Sequence, residues 1–129
     1  MSKPHPTEGE LAILRVLWSR NSPATVRDVH DALRRNKDTA YTTVLKMMTI
    51  MTEKGLLRRD ESERSHHFVA VHAEPAVQSS LLHEFMHRAF SGSALKLVQR
   101  ALADDTASGE ELDAIAKLIA QAKAKKKQK

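Results

Sequence analysis

Apolar residues recur at helical spacing along most of the chain, and the clearest such stretch runs from Thr39 to Gly55. Its apolar positions fall at i, i+3, i+4 and i+7, and they are Val44, Met47, Met48 and Met51. This spacing predicts one buried stripe of an amphipathic helix. Thr39 is the expected N-cap, and Gly55 is the expected residue just past the C-terminus of the helix.

The opposite face of this predicted helix carries hydroxyls and one long cation: Tyr41, Thr42, Thr43, Lys46 and Thr49. Hydroxyls and a lysine near a helix N-terminus suit base edges and phosphates in the major groove of DNA. A core helix whose polar side merely faces water would show the same pattern. The neighbouring segments therefore decide between the two interpretations.

Two shorter helices are predicted before this one. Thr7 and Glu10 have the spacing of a capping box, and Thr25 and Asp28 have the same spacing further on. The apolar face after Thr7 is Leu11, Leu14, Leu17 and Trp18, and the face after Thr25 is Val26, Val29 and Leu33. Trp18, the only tryptophan, is expected in the core. Three short helices, the third with a hydroxyl-rich N-terminus, predict a helix-turn-helix.

After Gly55 the periodicity changes to that of strands. Residues 56–59 and 67–71 are two short apolar-polar runs, and a charged connection from Asp60 to Arg64 separates them. Three helices followed by a hairpin predict a winged helix. The arginines of the hairpin, Arg58, Arg59 and Arg64, are then available for DNA phosphates. Alternatively, they are solvated edge-strand charges that prevent sheet-to-sheet pairing.

The remaining apolar residues predict helices over 74–90 and 94–103, and Ser108 and Glu111 form a capping box that opens a last helix. Three short helices cannot bury all of these apolar faces, so we expect a second copy of the chain to cover them. The predicted dimer interface is Leu81, Leu82, Phe85, Met86, Phe90, Leu95, Val98, Leu102, Leu112, Ile115, Leu118 and Ile119. Such a dimer would place two recognition helices about 34 Å apart, one turn of DNA.

The expected fold class is mainly α with a small β-hairpin. Residues 1–72 are the predicted winged-helix domain, residues 73–121 a helical dimerisation domain, and residues 122–129 a basic, disordered tail. Residues 1–70 hold 12 Lys/Arg against 9 Asp/Glu, whereas residues 71–121 hold 4 against 7. The mild excess of positive charge in the first half is compatible with a nucleic-acid partner.

Composition excludes several other classes. The chain has no cysteine, so disulfides, thiolate zinc sites and cysteine nucleophiles are excluded. No apolar run approaches the roughly 18 residues of a membrane span, and no signal-peptide core is present, so we expect a soluble cytoplasmic protein. With 4 glycines and no glycine-rich phosphate loop, no cofactor and no small-molecule substrate are predicted.

One motif points to a different class of protein. His83, Glu84 and His87 fit the HExxH pattern, in which two histidines on one helix face bind zinc and the glutamate acts as general base. Phe85 and Met86 inside this motif also belong to the predicted dimer stripe. A zinc hydrolase is therefore the alternative hypothesis. Metal binding by His83 and His87 without catalysis is a further alternative. A winged-helix adaptor that binds a protein partner is a third possibility.

The chain resembles the penicillinase repressors, the BlaI/MecI/CopY family. The segments that carry the resemblance are PTEGELAILRVLW, PATVRDVHDAL, AYTTVLKMMTIMTEKGLLRR and RAFSGSALKLVQRAL, in the family's order from about residue 6 to 120. The resemblance implies a homodimeric repressor that binds an inverted-repeat operator overlapping a promoter. By position it places Thr42, Thr43 and Lys46 on the operator, with Tyr41 beside them and Arg64 in the wing. Thr25, Thr49, Arg58 and Arg59 form a second set of candidate contacts.

The chain departs from the family at the places where repression is released. Copper-responsive members use a C-terminal cysteine cluster, which is absent here. Members that respond to β-lactams are cleaved by a membrane sensor-protease at an Asn-Phe bond, and the matching place here is Gln99-Arg100-Ala101-Leu102. Release by proteolysis or by another inducing signal is therefore left open.

Overall fold

The computed structural model describes residues 4–35, 38–61 and 66–128. In chain order, the elements are α1 (Glu8–Trp18), α2 (Val26–Leu33), α3 (Tyr41–Glu53), β1 (Leu57–Asp60), β2 (His67–Ala70), α4 (Glu74–Phe90), α5 (Ala94–Ala103) and α6 (Gly109–Lys127). This mostly helical chain with one antiparallel hairpin confirms the predicted fold class. No helix within these ranges is long and apolar enough to cross a membrane.

The capping box at the start of α1 forms as predicted. The Thr7 hydroxyl accepts a hydrogen bond from the Glu10 amide at 3.2 Å, and the Glu10 carboxylate accepts one from the Thr7 amide at 2.9 Å. The buried Glu10 carboxylate also accepts hydrogen bonds from Lys54 Nζ at 2.8 and 3.0 Å. Burial would raise the pKa of Glu10, but Lys54 and the Thr7 amide together hold that pKa below its usual value. The pair joins the start of α1 to the end of α3.

The core of the winged-helix part lies between the first three helices and the hairpin. Its fully buried side chains on the helices are Ile13, Leu14, Val29, Val44, Met48 and Met51. Three of the four predicted stripe positions of α3 are thus buried, and Met47 packs at the edge of the core. Trp18 also lies at this edge, where its indole Nε1 donates a hydrogen bond to the His72 carbonyl at 3.0 Å.

The helix α3 begins one residue later than its sequence predicted. Ala40 is the N-cap in place of Thr39, and among the described residues no side chain bonds the first turn. The Thr39 carbonyl instead accepts a hydrogen bond from Nε2 of His30, at 2.8 Å. Thr39 is therefore held by α2 outside the helix, where its hydroxyl cannot act as the cap.

The C-terminus of α3 is closed by Gly55, as predicted. Gly55 has φ +85°, its amide donates to the Thr52 carbonyl at 3.2 Å, and the Leu56 amide donates to the Met51 carbonyl at 2.9 Å. These two bonds form a Schellman motif. Because Leu56 completes the helix end, β1 begins at Leu57, one residue later than predicted.

The hairpin pairs Leu57 with Ala70 at its base and Asp60 with His67 near its tip. Residues 62–65, which include the predicted wing contact Arg64, lie outside the described residues. Ala24 adds a pairing that the sequence did not indicate, because it exchanges two backbone hydrogen bonds with Phe68, at 2.8 and 3.1 Å. The segment before α2 is thereby fixed to the hairpin, and the whole arrangement is a winged helix.

The chain divides into two compact units, Met1–Leu82 and His83–Lys129, and the division falls inside α4. The boundary of the DNA-binding domain at residue 72 stays a prediction. The buried residues Val77 and Ser80 belong to the first unit. The predicted disordered tail is helical instead, since α6 continues to Lys127. Alanine, lysine and glutamine are strong helix formers, and lysines near a helix C-terminus interact favourably with its dipole.

Candidate nucleic-acid interface

The exposed face of α3 lies opposite its buried stripe. Thr42 and Lys46 are exposed, and Thr49 is half-buried. At about 100° of rotation per residue these three side chains project from the same side of the helix. The Thr49 hydroxyl donates to the Leu45 carbonyl at 2.8 Å, so its oxygen is left as an acceptor. This strip offers hydroxyls and one ammonium group to a ligand outside the protein.

Tyr41, at the start of α3, is held by two residues of α2. The guanidinium carbon of Arg27 lies 5.3 Å from the centroid of the Tyr41 ring, in a cation–π contact. The His30 ring meets the Tyr41 ring edge-to-face, with 5.7 Å between centroids. Arg27 and His30 were not among the predicted contacts, because their contacts with Tyr41 depend on how α2 crosses α3.

A pocket of about 470 Å³ opens between α2, α3 and the hairpin. Thr25, Tyr41 and Arg59, three of the predicted contacts, line it together with Arg27, Leu45 and Phe68. Arg59 is exposed, and its guanidinium carbon lies 5.7 Å from the Phe68 ring centroid. Two arginines are therefore held over aromatic rings on the side of α3 that faces the hairpin.

Thr25 is also the N-cap of α2. Its hydroxyl accepts a hydrogen bond from the Asp28 amide at 3.1 Å, and its own amide donates to the Asp28 carboxylate at 3.0 Å. The bond from the Thr25 amide is the main cause that lowers the pKa of Asp28 below its usual value, and Arg20, at 3.5 Å, adds to it. Asp28 is thus kept charged and paired while the Thr25 hydroxyl hydrogen is left to donate outward.

Two of the predicted contacts lie apart from this pocket. Thr43 is exposed on the other flank of α3, where it lines a second cavity, of about 790 Å³, with Thr39 and Met47. Arg58 is exposed, and because strand side chains alternate it points to the opposite side of the hairpin from Arg59. The structure therefore groups Tyr41, Thr25 and Arg59 more closely than it groups Thr43 or Arg58 with them.

The HExxH residues lie on α4. His83 and His87 are both exposed, and the Glu84 carboxylate lies 3.7 Å from Arg88 in an i,i+4 ion pair. Within the described ranges, no three His, Cys, Asp or Glu side chains form a group that could hold a metal ion. The motif therefore supplies two histidines, and no third ligand from the described residues lies beside them.

The last three helices, α4, α5 and α6, expose much of their apolar surface. Leu82, Phe85, Leu95, Val98, Leu102, Leu112, Leu118 and Ile119 are exposed, and Leu81, Met86, Phe90 and Ile115 are half-buried. Among the described residues, α5 and α6 contain no buried side chain. Apolar patches of this extent usually mark an interaction surface.

A helix-turn-helix with a hairpin wing, and with hydroxyls and a lysine on the outer face of its third helix, is typical of the winged-helix class of DNA-binding proteins. The family model of the penicillinase repressors matches residues 6–121. The chain belongs to the penicillinase repressor family, and it is accordingly a transcriptional regulator and not an enzyme.

Curated relatives agree with this assignment. The transcriptional regulators BlaI of two Mycobacterium tuberculosis strains, CDC 1551 / Oshkosh and ATCC 25618 / H37Rv, are 33% identical over 120 residues, which is 89% of this chain and 83% of theirs. A penicillinase repressor of Bacillus licheniformis is 24% identical over 125 residues, 97% of either chain.

A solved structure shows the same fold. It is the solution structure of the monomeric form of Bacillus licheniformis BlaI in complex with the blaP half-operator. The TM-score is 0.51 at 20% sequence identity, and the match covers 58% of this chain and 90% of that one.

Proposed function

We propose that this chain is a homodimeric repressor that binds an inverted-repeat operator in promoter DNA and thereby blocks transcription. The observation that carries the proposal is the exposed strip of α3, where Thr42 and Lys46 project away from the buried side of the helix. The membership of the family supports the same function. The cytoplasm is the proposed location, since promoter DNA is found there.

Within this proposal the residues have different roles. Lys46 and Thr42 contact base edges in the major groove, because lysine pairs with the acceptors of guanine and threonine with several bases. Arg59 and Arg27 contact phosphates on the side of the hairpin, and Arg58 contacts the DNA backbone along the wing. Tyr41 positions Arg27 and lies beside the backbone.

The proposed dimer uses the exposed apolar residues of α4, α5 and α6. A single copy leaves side chains such as Leu95, 68% exposed, and Leu118, 62% exposed, in water. A two-fold partner would cover these surfaces and would present two recognition helices to the two halves of an inverted repeat. The release mechanism stays a prediction: proteolysis by a membrane sensor-protease would act on the segment Gln99 to Leu102, whose residues are all exposed.

A mobility-shift assay with DNA from the promoter of the chain's own gene tests the proposal. The wild type is expected to form a discrete complex whose affinity falls steeply with salt. Lys46→Ala is expected to weaken that complex by about tenfold or more, the cost of one lost base contact. Lys96→Ala is the matched control, because it removes the same charge from an exposed site on α5.

The outcomes separate the candidate functions. A salt-sensitive complex that Lys46→Ala weakens and Lys96→Ala does not would support the operator-binding repressor. Equal loss in both variants would indicate binding by net charge alone and would contradict the assigned contacts. No complex with this promoter, and no duplex enriched from a random pool, would favour a winged-helix adaptor for a protein partner.

A further inference from the structure

Two aliphatic side chains on α3 are exposed and do not belong to its buried stripe. Leu45 is 42% exposed and Ile50 is 38% exposed, whereas Val44, Met48 and Met51 are fully buried. The core of the unit is therefore complete without them. Leu45 directly precedes Lys46, and Ile50 follows Lys46 by four residues, about one turn of the helix.

Their positions border the polar strip on its two sides. At about 100° per residue, Leu45 projects on the flank that carries Tyr41, and Ile50 projects on the opposite flank. Thr42, Lys46 and Thr49 fall between the two directions. Leu45 also lines the pocket beside Phe68 and Arg59, which agrees with this placement. The face consequently has a polar centre with an aliphatic residue at each edge.

DNA offers one kind of apolar group to such side chains. In the major groove, the base edges present hydrogen-bond donors and acceptors, and the C5-methyl group of thymine. Apolar surface that is exposed in the free protein and covered by a methyl group in the complex contributes favourably to binding. Ile50 is suited to this role, because its branched side chain has one strongly preferred rotamer in a helix.

We propose that Leu45 and Ile50 each contact a thymine methyl group, one on either side of the base pairs that Lys46 and Thr42 contact. The operator half-site then has thymine at two positions, separated by the base pairs that the polar strip reads. This inference rests on the proposed function and deepens it, since it names two of the bases that the repressor selects.

Replacing thymine by deoxyuridine tests the inference directly. Uracil keeps every hydrogen-bonding group of thymine and lacks only the C5-methyl. The operator is first defined by selection of duplexes from a random pool with the full-length protein, and each thymine of the half-site is then replaced in turn. Wild-type protein is expected to bind about three- to fivefold more weakly at two of these positions, the effect of one methyl group each.

Variants assign each methyl group to its side chain. In Leu45→Ala, deoxyuridine at one of the two positions should cost nothing further, while the other position keeps its full effect. In Ile50→Ala, deoxyuridine at the second position should cost nothing further, while the first position keeps its full effect. Val71→Ala is the control, because Val71 is 47% exposed and follows the last residue of β2, away from the hairpin tip. Both positions should keep their effects in this variant. Thermal unfolding checks that the variants fold, and the deoxyuridine series in the wild type needs no variant.

Different results would refute the thymine contacts and the proposed function. If selection enriches no duplex, the operator-binding function itself is wrong. If a specific operator is found and no deoxyuridine weakens its binding, the function stands and the thymine contacts are refuted. If deoxyuridine weakens binding equally in the wild type, Leu45→Ala and Ile50→Ala, other side chains contact the methyl groups, and the assignment is refuted.

Discussion

At the scale of single residues, a contact can be predicted from the sequence when its two partners lie close together along the chain. The capping boxes begun by Thr7, Thr25 and Ser108 were predictable because each joins residues three positions apart. The contact of Arg27 with Tyr41 was not, because it exists only where two helices cross. For the same reason, the sequence did not reveal that Glu10 is buried with Lys54 as its partner.

The Glu10 pair predicts a specific dependence of stability on pH. The pKa of Glu10 is lowered in the folded state, so its stabilisation is complete above the pKa of the unfolded chain and is lost as pH falls through the folded pKa. At neutral pH, Glu10→Gln is expected to lower the free energy of unfolding by about 1 kcal/mol, because Lys54 is partly exposed and water screens the pair. As pH falls through the lowered folded pKa of Glu10, the two proteins should approach equal stability, since protonated Glu10 resembles glutamine.

Urea unfolding at a series of pH values measures this difference. Glu8→Gln is the matched control, because Glu8 is an exposed carboxylate in the same first turn of α1. It should leave stability within about 0.5 kcal/mol of the wild type at neutral pH. A Glu10→Gln deficit that stayed constant down to pH 3 would show that the charge of Glu10 does not stabilise the fold.

At the scale of elements, the sequence predicted the helices well and their ends less well. Gly55 ends α3 as predicted, since a positive φ favours glycine and the local spacing shows it. The start of α3 was misplaced because Thr39 has a competing partner in His30. The end of α6 was misplaced because a lysine-rich segment was interpreted by its charge, although its residues favour helix.

The helix end at Gly55 gives a prediction that isolates backbone strain. A Cβ added at Gly55 would meet no atom of the described residues within 4 Å, so Gly55→Ala changes little except the cost of φ +85°. This variant should lose about 1–2 kcal/mol of stability. Gly55→Asn should lose less, since asparagine tolerates the left-handed region.

Denaturant midpoints of the three proteins check this order. Gly109→Ala is the control, because a Cβ there is also unobstructed and no left-handed φ is present. It should be neutral or slightly stabilising, as an alanine in a helix loses less entropy on folding. Equal losses for Gly55→Ala and Gly109→Ala would mean that the conformation of Gly55 does not matter for stability.

At the scale of the whole molecule, the two units differ in how far one chain can complete them. The first unit encloses its own core, whereas α5 and α6 bury no side chain among the described residues. The sequence indicated this difference through its excess of apolar positions. It could not indicate that the division falls within α4, because Val77 and Ser80 continue the same helical pattern as the residues after them.

The proposed dimer predicts the effect of one buried charge. Leu118→Glu is expected to raise the dissociation constant of the dimer about hundredfold or more, because an unpaired carboxylate is costly to remove from water. Sedimentation velocity over a range of protein concentrations measures this. The matched control is Gln121→Glu, which adds the same charge one turn later on α6 at an exposed polar site. If Leu118→Glu and the wild type sediment alike, the surface of α6 is not the interface.

The hydrogen bond between Trp18 and the His72 carbonyl has an optical consequence. Trp18 and Tyr41 are the only tryptophan and tyrosine of the chain, and both lie in the first unit. The indole is bonded to the segment that leads directly into α4. Tryptophan emission therefore reports the unfolding of the first unit, up to the start of α4. Far-ultraviolet circular dichroism instead sums the helices of both units. Denaturation curves recorded by the two signals will superimpose only if both units unfold together.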